Sequence, residues 1–477
     1  MSPRVRFAVL VSGAGSNLRA LLEDCRLSTH PGELALVISS EPDAGATAIA
    51  RAAGVPVRTP MASPRADRAQ FEMEILELLT AYHVEWVVLA GYRWLLGPLL
   101  LRAYPDRILN VHPSLLPNFP GLNAPLQAIR AQVTSSGASV HLVDAGMDTG
   151  PMVAQARVPV FPDDGAIDLH QRIQEVEHRI LPMAVRWALS GRIRIPGTDT
   201  QAEHGPRPTL LDGGLATTLQ KSGLPPYSVI NDWVFDHPEA VRRAHRAFAA
   251  SGADILLAAT FSALPHLEPR WRDLIAHALA LAAAEGARVW APLGPATRAG
   301  QRFTTLPGRQ QVLFRRGWAA AAARAAACGT TGIALETFVD PSELYAAVEA
   351  VRDGCSLPVA ACLCPAGSGN AADGTGIEEV ARETVRRGAT LFGVNCGLDA
   401  TAVVRAVARL DEEIPVWAKP SMTNAFSVTY PEFEFLLRRC AFVGGCCGTL
   451  PADVAALRAL EEARLRLVPP HEALPTC

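Results

Sequence analysis

Beyond residue 207 the chain passes through eight short apolar runs, each closed by small or polar residues and each separated from the next by a helical stretch. They are TLLDGG, ADILLAATF, RVWAPLGP, GIALETF, PVAACLCPA, TLFGVNCG, PVWAKPS and FVGGCCG. Eight strand–helix units over roughly 250 residues is the arithmetic of a (β/α)8 barrel, whose chemistry sits at the C-terminal ends of the strands. The residues that close each run are therefore the ones to read for function.

The first part of the chain has a different rhythm. Apolar runs (FAVLVSG, LALVISS, VEWVVLAGY, ILNVHP) alternate with Ala/Leu/Arg-rich helical segments up to about residue 192, the signature of an open, mostly parallel, Rossmann-like α/β sheet. Between the two parts lies GRIRIPGTDTQAEHGPRP, polar and rich in Gly and Pro, as linkers are. The expected organisation is an N-terminal domain over 1–193, a linker over 194–207 and a barrel over 208–470.

Composition narrows the partners. With 49% hydrophobic and 19% charged residues, the 477-residue chain has ample material for two cores. A net charge of −3 supplies no basic field for nucleic acid or anionic membrane, so small-molecule substrates are expected, and a homo-oligomer stays open. The N-terminal apolar run passes straight into a Gly-rich turn without a cleavage site or spanning length, so it reads as a first strand. Ten cysteines in so long a chain argue for metal, catalytic or core roles in a reducing, cytoplasmic setting rather than a disulfide framework.

Gly13-Ala14-Gly15-Ser16-Asn17 follows a strand and opens a helix, so its N–H groups form an anion cradle. A dinucleotide fingerprint would need a third glycine where Leu18 stands, which opposes an oxidoreductase reading; a plain tight turn would use the same residues. Downstream, Asn110 and His112 in NVHPSLLP share one face of a strand because side chains alternate with period two. An amide donor and a histidine can stabilise the oxyanion of acyl transfer, with a carboxylate such as Asp148 orienting the ring or relaying a proton. A strand-end histidine can also merely cap a loop.

In their order and spacing, the GAGSN turn, NVHPSLLPNFPG, MDTGP and Glu177-His178 make residues ~5–192 resemble glycinamide ribonucleotide formyltransferases. The resemblance implies 10-formyltetrahydrofolate as donor and the amine of a phosphorylated ribosyl-glycinamide as acceptor. It implies catalytic roles for Asn110, His112 and Asp148, acceptor phosphate on Gly15, Ser16 and Asn17, and acceptor recognition by Glu177. Folate contacts would come from Arg68, from Tyr92, Arg93, Trp94, Leu95 and Leu96 within the Gly91–Leu96 segment, from Asn110 and from Asp144. Arg93-Trp94 departs from the Met-Arg pair usual in the family, and Asn123–Gln127 echoes the related methionyl-tRNA formyltransferases.

In the barrel, Cys396 closes the sixth run and Cys446 and Cys447 close the eighth. Three thiolates meeting at a barrel mouth leave the fourth position of a Zn2+ ion open, the layout of a catalytic site. Adjacent strand residues point to opposite faces, but Gly444, Gly445 and Gly448 let the backbone leave extended geometry. Core packing or a vicinal disulfide would also explain Cys446-Cys447 taken alone. Cys362 and Cys364 alternate as core strand residues do. Asp212 and Glu336, closing runs one and four, are placed to hold the amino group of an amino-acid thiol, although a helix cap or a supporting carboxylate would look the same.

LLDGG, the Ala-Thr-Phe of run two, LGP, LET, GVNC and GGCCGT make residues ~208–462 resemble homocysteine S-methyltransferases. The resemblance implies zinc on Cys396, Cys446 and Cys447, with homocysteine held by Asp212 and Glu336. Ala258-Ala259 and Lys419-Pro420-Ser421 depart from the family's usual residues there. The nearest corrinoid-type string, Asp168-Leu169-His170, has Ile173 in place of the glycine, so a sulfonium or quaternary ammonium methyl donor is expected. The whole chain then reads as a bifunctional one-carbon transferase, with a formyltransferase carrying a silent zinc-binding regulatory or oligomerising barrel as the alternative.

Overall fold

The computed structural model describes residues 4–193, 207–226, 228–298, 300–397, 400–422 and 430–463. By contact the chain divides into Met1–His204 with Ala459–Cys477, and Gly205–Arg458. The expected linker lies outside the described residues except for Arg207, and residues 464–470, read above as barrel, lie outside them too.

The first unit runs β1 (Val5–Val11), α1 (Ser16–Cys25), β2 (Gly32–Ser39), α2 (Gly45–Ala52), β3 (Val57–Arg58), α3 (Arg68–Ala81), β4 (Trp86–Leu89) and α4 (Pro98–Ala103). It continues through β5 (Ile108–His112), α5 (Ala124–Arg130), β6 (Ser135–Leu142), β7 (Met152–Pro159) and α6 (Ala166–Leu189). The four apolar runs become β1, β2, β4 and β5. Phe7, Ala8, Val9, Leu10 and Val11 are wholly buried, as a strand covered on both faces requires.

Sheet order is β3-β2-β1-β4-β5-β6-β7, parallel from β3 to β5 and antiparallel from β5 to β7. The strand order reverses at β1, and open α/β sheets bind ligands in the crevice beyond the strand ends at such a switch point. The antiparallel β6–β7 hairpin has no counterpart among the apolar runs. SSGASVHL is carried by serine, glycine and alanine, which give no strong apolar signal.

The second unit begins with β8 (Thr209–Leu210), α7 (Leu215–Gln220), α8 (Asn231–Asp236), α9 (Pro238–Ala250), β9 (Ile255–Leu257), α10 (Trp271–Ala283), β10 (Arg288–Leu293) and α11 (Gly308–Ala327). Then come β11 (Gly332–Phe338), α12 (Pro341–Gly354), β12 (Val359–Leu363), α13 (Ile377–Arg386), β13 (Leu391–Cys396) and α14 (Ala400–Arg409). β14 (Val416–Pro420), α15 (Tyr430–Arg439), β15 (Phe442–Val443) and α16 (Pro451–Ala463), of which the part up to Arg458 belongs to this unit, complete it.

All eight runs are strands, all parallel, in the order β8-β15-β14-β13-β12-β11-β10-β9. A single bridge, Leu211 to Ile255, closes the ring between its two ends. Leu211, Ile255, Leu257, Trp290, Ala334, Ala360, Cys362, Leu391 and Trp417 fill the interior. The rings of Trp290 and Trp417 lie 5.2 Å apart, and small residues on β11 and β12 accommodate them, so the barrel is packed rather than hollow. Cys362 is wholly buried there, a core residue as its alternation suggests. Among the described residues no helix is long and apolar enough to cross a membrane.

Candidate active sites

In the first unit the turn after β1 meets α1 at the switch point. Gly15, the N-cap of α1, sits at φ 88, and a Cβ there would come within 2.7 Å of the Ala46 backbone on α2. Only glycine meets both demands, and the first N–H groups of α1 have no partner within the helix itself. Asn17 is buried and donates its amide to Glu177 Oε2 at 2.9 Å, so the turn and α6 are tied together. Its Oδ1 has no hydrogen-bond partner.

Burial pushes the Glu177 carboxyl up to about 7, against the pull of the Asn17 hydrogen bond. The folded state therefore keeps a proton that a carboxyl at its ordinary 4.5 would release. The stability tied to that proton is complete below pH 4.5 and is lost as pH rises through about 7. Glu177→Gln, neutral throughout, should raise the melting temperature more at about pH 8 than at about pH 5, with each pKa unit worth ~1.4 kcal/mol. Equal shifts in the two thermal melts would show that Glu177 takes up no proton on folding.

The three residues expected to act together do converge. Asn110 Nδ2 lies 3.3 Å from Asp148 Oδ1, and His112 Nδ1 lies 3.3 Å from Asp148 Oδ2. The other ring nitrogen, His112 Nε2, faces the Phe119 carbonyl at 2.9 Å. Both nitrogens of His112 thus face oxygens, and the ring donates to both only as an imidazolium. Asp148 is held at φ 56, a left-handed backbone unusual for a residue with a side chain, and the Gly121 N–H donates to its Oδ2 at 2.9 Å.

Burial by itself would raise the Asp148 pKa, but the His141 hydrogen bond, the Gly121 N–H and the charges of His112 and His141 outweigh it and bring it down to about 2. The carboxylate is therefore ionised at any physiological pH.

His141 is a fourth member that the sequence reading missed. It stands directly opposite Asn110 in the β5–β6 register. Its Nδ1 donates to the Leu142 carbonyl at 2.8 Å, and its Nε2 sits 3.1 Å from Asn110 Nδ2 and 3.5 Å from Asp148 Oδ1. The signal was the alternation of Ser139 and His141 in SVHLVD, visible only once that stretch is taken as a strand paired with NVH.

The segment expected to line the folate pocket is pinned through its backbone. Arg68 Nη2 donates to the Leu95 carbonyl at 2.8 Å, and Arg68 Nε to Glu72 at 3.1 Å. Buried Glu72 accepts the Gly97 N–H, and the Arg93 N–H donates to Ser12 Oγ at 3.1 Å. Tyr92 and Leu96 pack on the core beside Leu89 and Leu100, whereas Leu95 is exposed. The Arg65 guanidinium lies 5.5 Å from the ring centre of Trp94. Asp144 shapes its own loop by accepting the Gly146 N–H at 3.0 Å and Thr149 Oγ1 at 2.8 Å, which sets the turn that delivers Asp148.

At the mouth of the barrel, Cys396, Cys446 and Cys447 place their sulfurs within 4.8 Å of one another. Cys396 ends β13 with φ 60, turning its thiol away from strand geometry. Cys446 and Cys447 lie beyond the end of β15 in a turn continued by Gly448 at φ 81, so strand alternation does not apply to them. The Gly448 N–H donates to Thr217 Oγ1 at 3.0 Å, fixing this turn against α7.

Cys396 Sγ is 2.7 Å from Cys446 Sγ and 3.8 Å from Cys447 Sγ. Tetrahedral zinc with bonds of about 2.3 Å keeps its sulfurs ~3.8 Å apart. The second spacing already suits the ion, and the first would widen by about 1 Å. Three soft sulfur donors in this arrangement fit zinc. Hydrogen bonds from Cys396 and Cys446 hold the Cys447 thiol low. Cys364 also turns toward this mouth, where its thiol meets the Gly397 backbone, a position that its strand alternation with Cys362 did not reveal.

Behind the thiols lies a buried charged cluster. Asp212, at the end of the first run, accepts the Leu257 N–H at 2.7 Å. Lys419 Nζ donates to Glu336 Oε1 at 3.1 Å and stands 3.9 Å from Asp212 Oδ1. Burial pushes Asp212 up to about 7 even though Lys419 pulls it down. Lys419 is itself raised: burial opposes its charge, but Glu336 and Asp212 outweigh that. Asn395 bridges cluster and thiols. It accepts the Thr337 N–H at 2.9 Å and directs Nδ2 toward Cys446 Sγ at 4.0 Å. Asp212 and Glu336 are thus brought together as expected. Lys419 and Asn395 were not foreseen, although a lysine inside the apolar run PVWAKPS was a visible sign of a buried partner.

Comparison with known proteins follows these two constellations. Residues 5–185 match the formyl transferase family model and residues 209–460 the homocysteine S-methyltransferase model. Phosphoribosylglycinamide formyltransferase of Escherichia coli (strain K12) is 38% identical over 191 residues, 40% of this chain and 90% of that protein. The Bacillus subtilis (strain 168) protein of the same name is 39% identical over 184 residues, 39% of this chain and 94% of that one. A solved structure of glycinamide ribonucleotide transformylase 1 from Symbiobacterium toebii shares 45% identity over 41% of this chain and 93% of its own, with a TM-score of 0.40. A chain with a formyl-transferase half and a thiolate-mouthed barrel half belongs to both families, formyl transferase over its first part and homocysteine S-methyltransferase over its second, and is a one-carbon transferase.

Proposed function

We propose that the first unit transfers a formyl group from 10-formyltetrahydrofolate to the amine of glycinamide ribonucleotide, and that the barrel carries out zinc-dependent methyl transfer to the thiol of homocysteine, giving methionine. For the first reaction the observation that carries the reading is the meeting of Asn110, His112 and an ionised Asp148. The acceptor's phosphate would lie against the N–H groups of Gly15, Ser16 and Asn17, with Glu177 beside it. As the amine attacks the formyl carbon, charge gathers on the carbonyl oxygen. The Asn110 amide and the His112 ring are the donors placed to hold it, and His112 would exchange its Phe119 contact for that oxygen. Asp148 orients the ring and relays the proton that the amine releases toward the donor nitrogen of tetrahydrofolate, which departs as its bond to the formyl carbon breaks.

For the second reaction the carrying observation is the thiol trio beside a buried acid pair. Bound there, zinc would turn the substrate thiol into a thiolate at neutral pH. Cys396, Cys446 and Cys447 would hold the ion, and Asp212 and Glu336 would hold the substrate's ammonium. The methyl donor is left as a sulfonium or quaternary ammonium compound.

The test is a pair of assays on the same full-length preparation before and after zinc chelation. Formyl transfer should be unchanged by the chelator, and methionine formation should fall to background and return when zinc is restored. Methyl transfer that survives metal removal would refute the zinc reading, and absence of formyl transfer from the untreated protein would refute the first half.

A further inference from the structure

The acids that would take the substrate's ammonium already hold a cation. Lys419 is 3% exposed, and it points into the barrel on the same strand face as core residue Trp417, two positions before it. Its ammonium has three N–H groups. Among the described residues it donates to Glu336 at 3.1 Å, whereas Asp212 at 3.9 Å is beyond hydrogen-bond length. A buried ammonium with donors still unfilled is costly unless something completes it.

Charge decides what that something is. Two carboxyls, Asp212 and Glu336, surround one ammonium, so Lys419 is the cation of this cluster. An α-amino acid placing its ammonium on the two carboxylates must bring its own carboxylate, borne by the same carbon, to within a few ångströms of them. Without a neighbouring cation the two like charges would repel, and substrate binding would be lost. Lys419 is the cation standing at that point.

We propose that Lys419 binds the α-carboxylate of the acceptor, so that the barrel selects a zwitterionic amino-acid thiol over an amine thiol. The inference rests on the homocysteine reading above and goes beyond it by naming the residue that reads the carboxylate. Asp212 and Glu336 then read the ammonium, Lys419 the carboxylate and the metal the sulfur, and the three together fix the acceptor's orientation.

The experiment measures dissociation constants of L-homocysteine and 3-aminopropane-1-thiol, its decarboxylated counterpart, on the zinc-loaded full-length chain by titration calorimetry. A charged hydrogen bond in a buried site predicts a wild-type preference for homocysteine of about 10- to 100-fold. Lys419→Met should bring that ratio to near one, and Lys419→Arg should retain most of it. A ratio near one in the wild type would overturn the inference without need of any variant. So would an undiminished ratio in a folded Lys419→Met protein. If neither thiol binds the zinc-loaded wild type, the homocysteine reading falls first and this inference with it, an outcome distinct from loss of the ratio alone.

Discussion

Alanine at His112 should lower formyl transfer by about 10³-fold while thiol methylation by the same preparation stays at the wild-type rate. The change deletes the ring that faces both Asp148 and the Phe119 carbonyl, so it removes the proposed oxyanion donor and one of the groups that hold the Asp148 pKa low. The Asp148 pKa should climb from about 2 toward its ordinary 3.8 as the His112 charge disappears. Parallel rate measurements on Asn110→Ala should show a loss of about 10²- to 10³-fold, and the double variant should lose less than the product of the two, because both donors serve one oxygen. A loss below tenfold in a folded His112→Ala protein would remove the histidine from the mechanism.

The second large effect is expected at Cys446. Replacing it with alanine should weaken zinc binding by at least about 100-fold, since even groups that only support a ligand cost 10–100-fold when removed. Methionine formation should disappear with the metal, and formyl transfer should persist. Metal analysis after dialysis against a competing chelator reads the affinity directly. Full zinc retention in this variant would mean that the ion binds elsewhere. Asn395, which directs its amide toward this sulfur, would lose that contact but keep Thr337, so the fold of the mouth should survive.

How much of this was legible depended on how local the signal was. The barrel could be counted from sequence because each strand is a short apolar run, and the three cysteines of its mouth stand at the ends of two of them. Asn110 and His112 could be paired because they sit two apart on a single strand. His141 could not be placed, since it meets Asn110 only through the antiparallel pairing of β5 with β6, and β6 is made of small residues. Lys419 was visible as an oddity without a role, because Glu336 lies 83 positions away and only barrel closure brings them together. The Phe119 carbonyl and the Gly121 N–H that steady His112 and Asp148 are backbone atoms. No residue type announces them.

The seam of the barrel bears on how it can hold a substrate at all. β8 and β9 meet through one bridge, and just above it the Asp212 side chain grips the Leu257 N–H while the Asp212 N–H reaches the Ile255 carbonyl. The carboxylate placed to receive a ligand is thus also the buckle of the staves. Its Oδ1 has no hydrogen-bond partner, so it can greet an incoming ammonium without letting go of the strand. A ligand that claimed both oxygens would take the Leu257 bond from the seam and leave it to the backbone bonds of Asp212 with Ile255 and Asp254 with Leu210. Grip and closure are thereby yoked, and the acid at this position answers to two masters, one of them the wall itself.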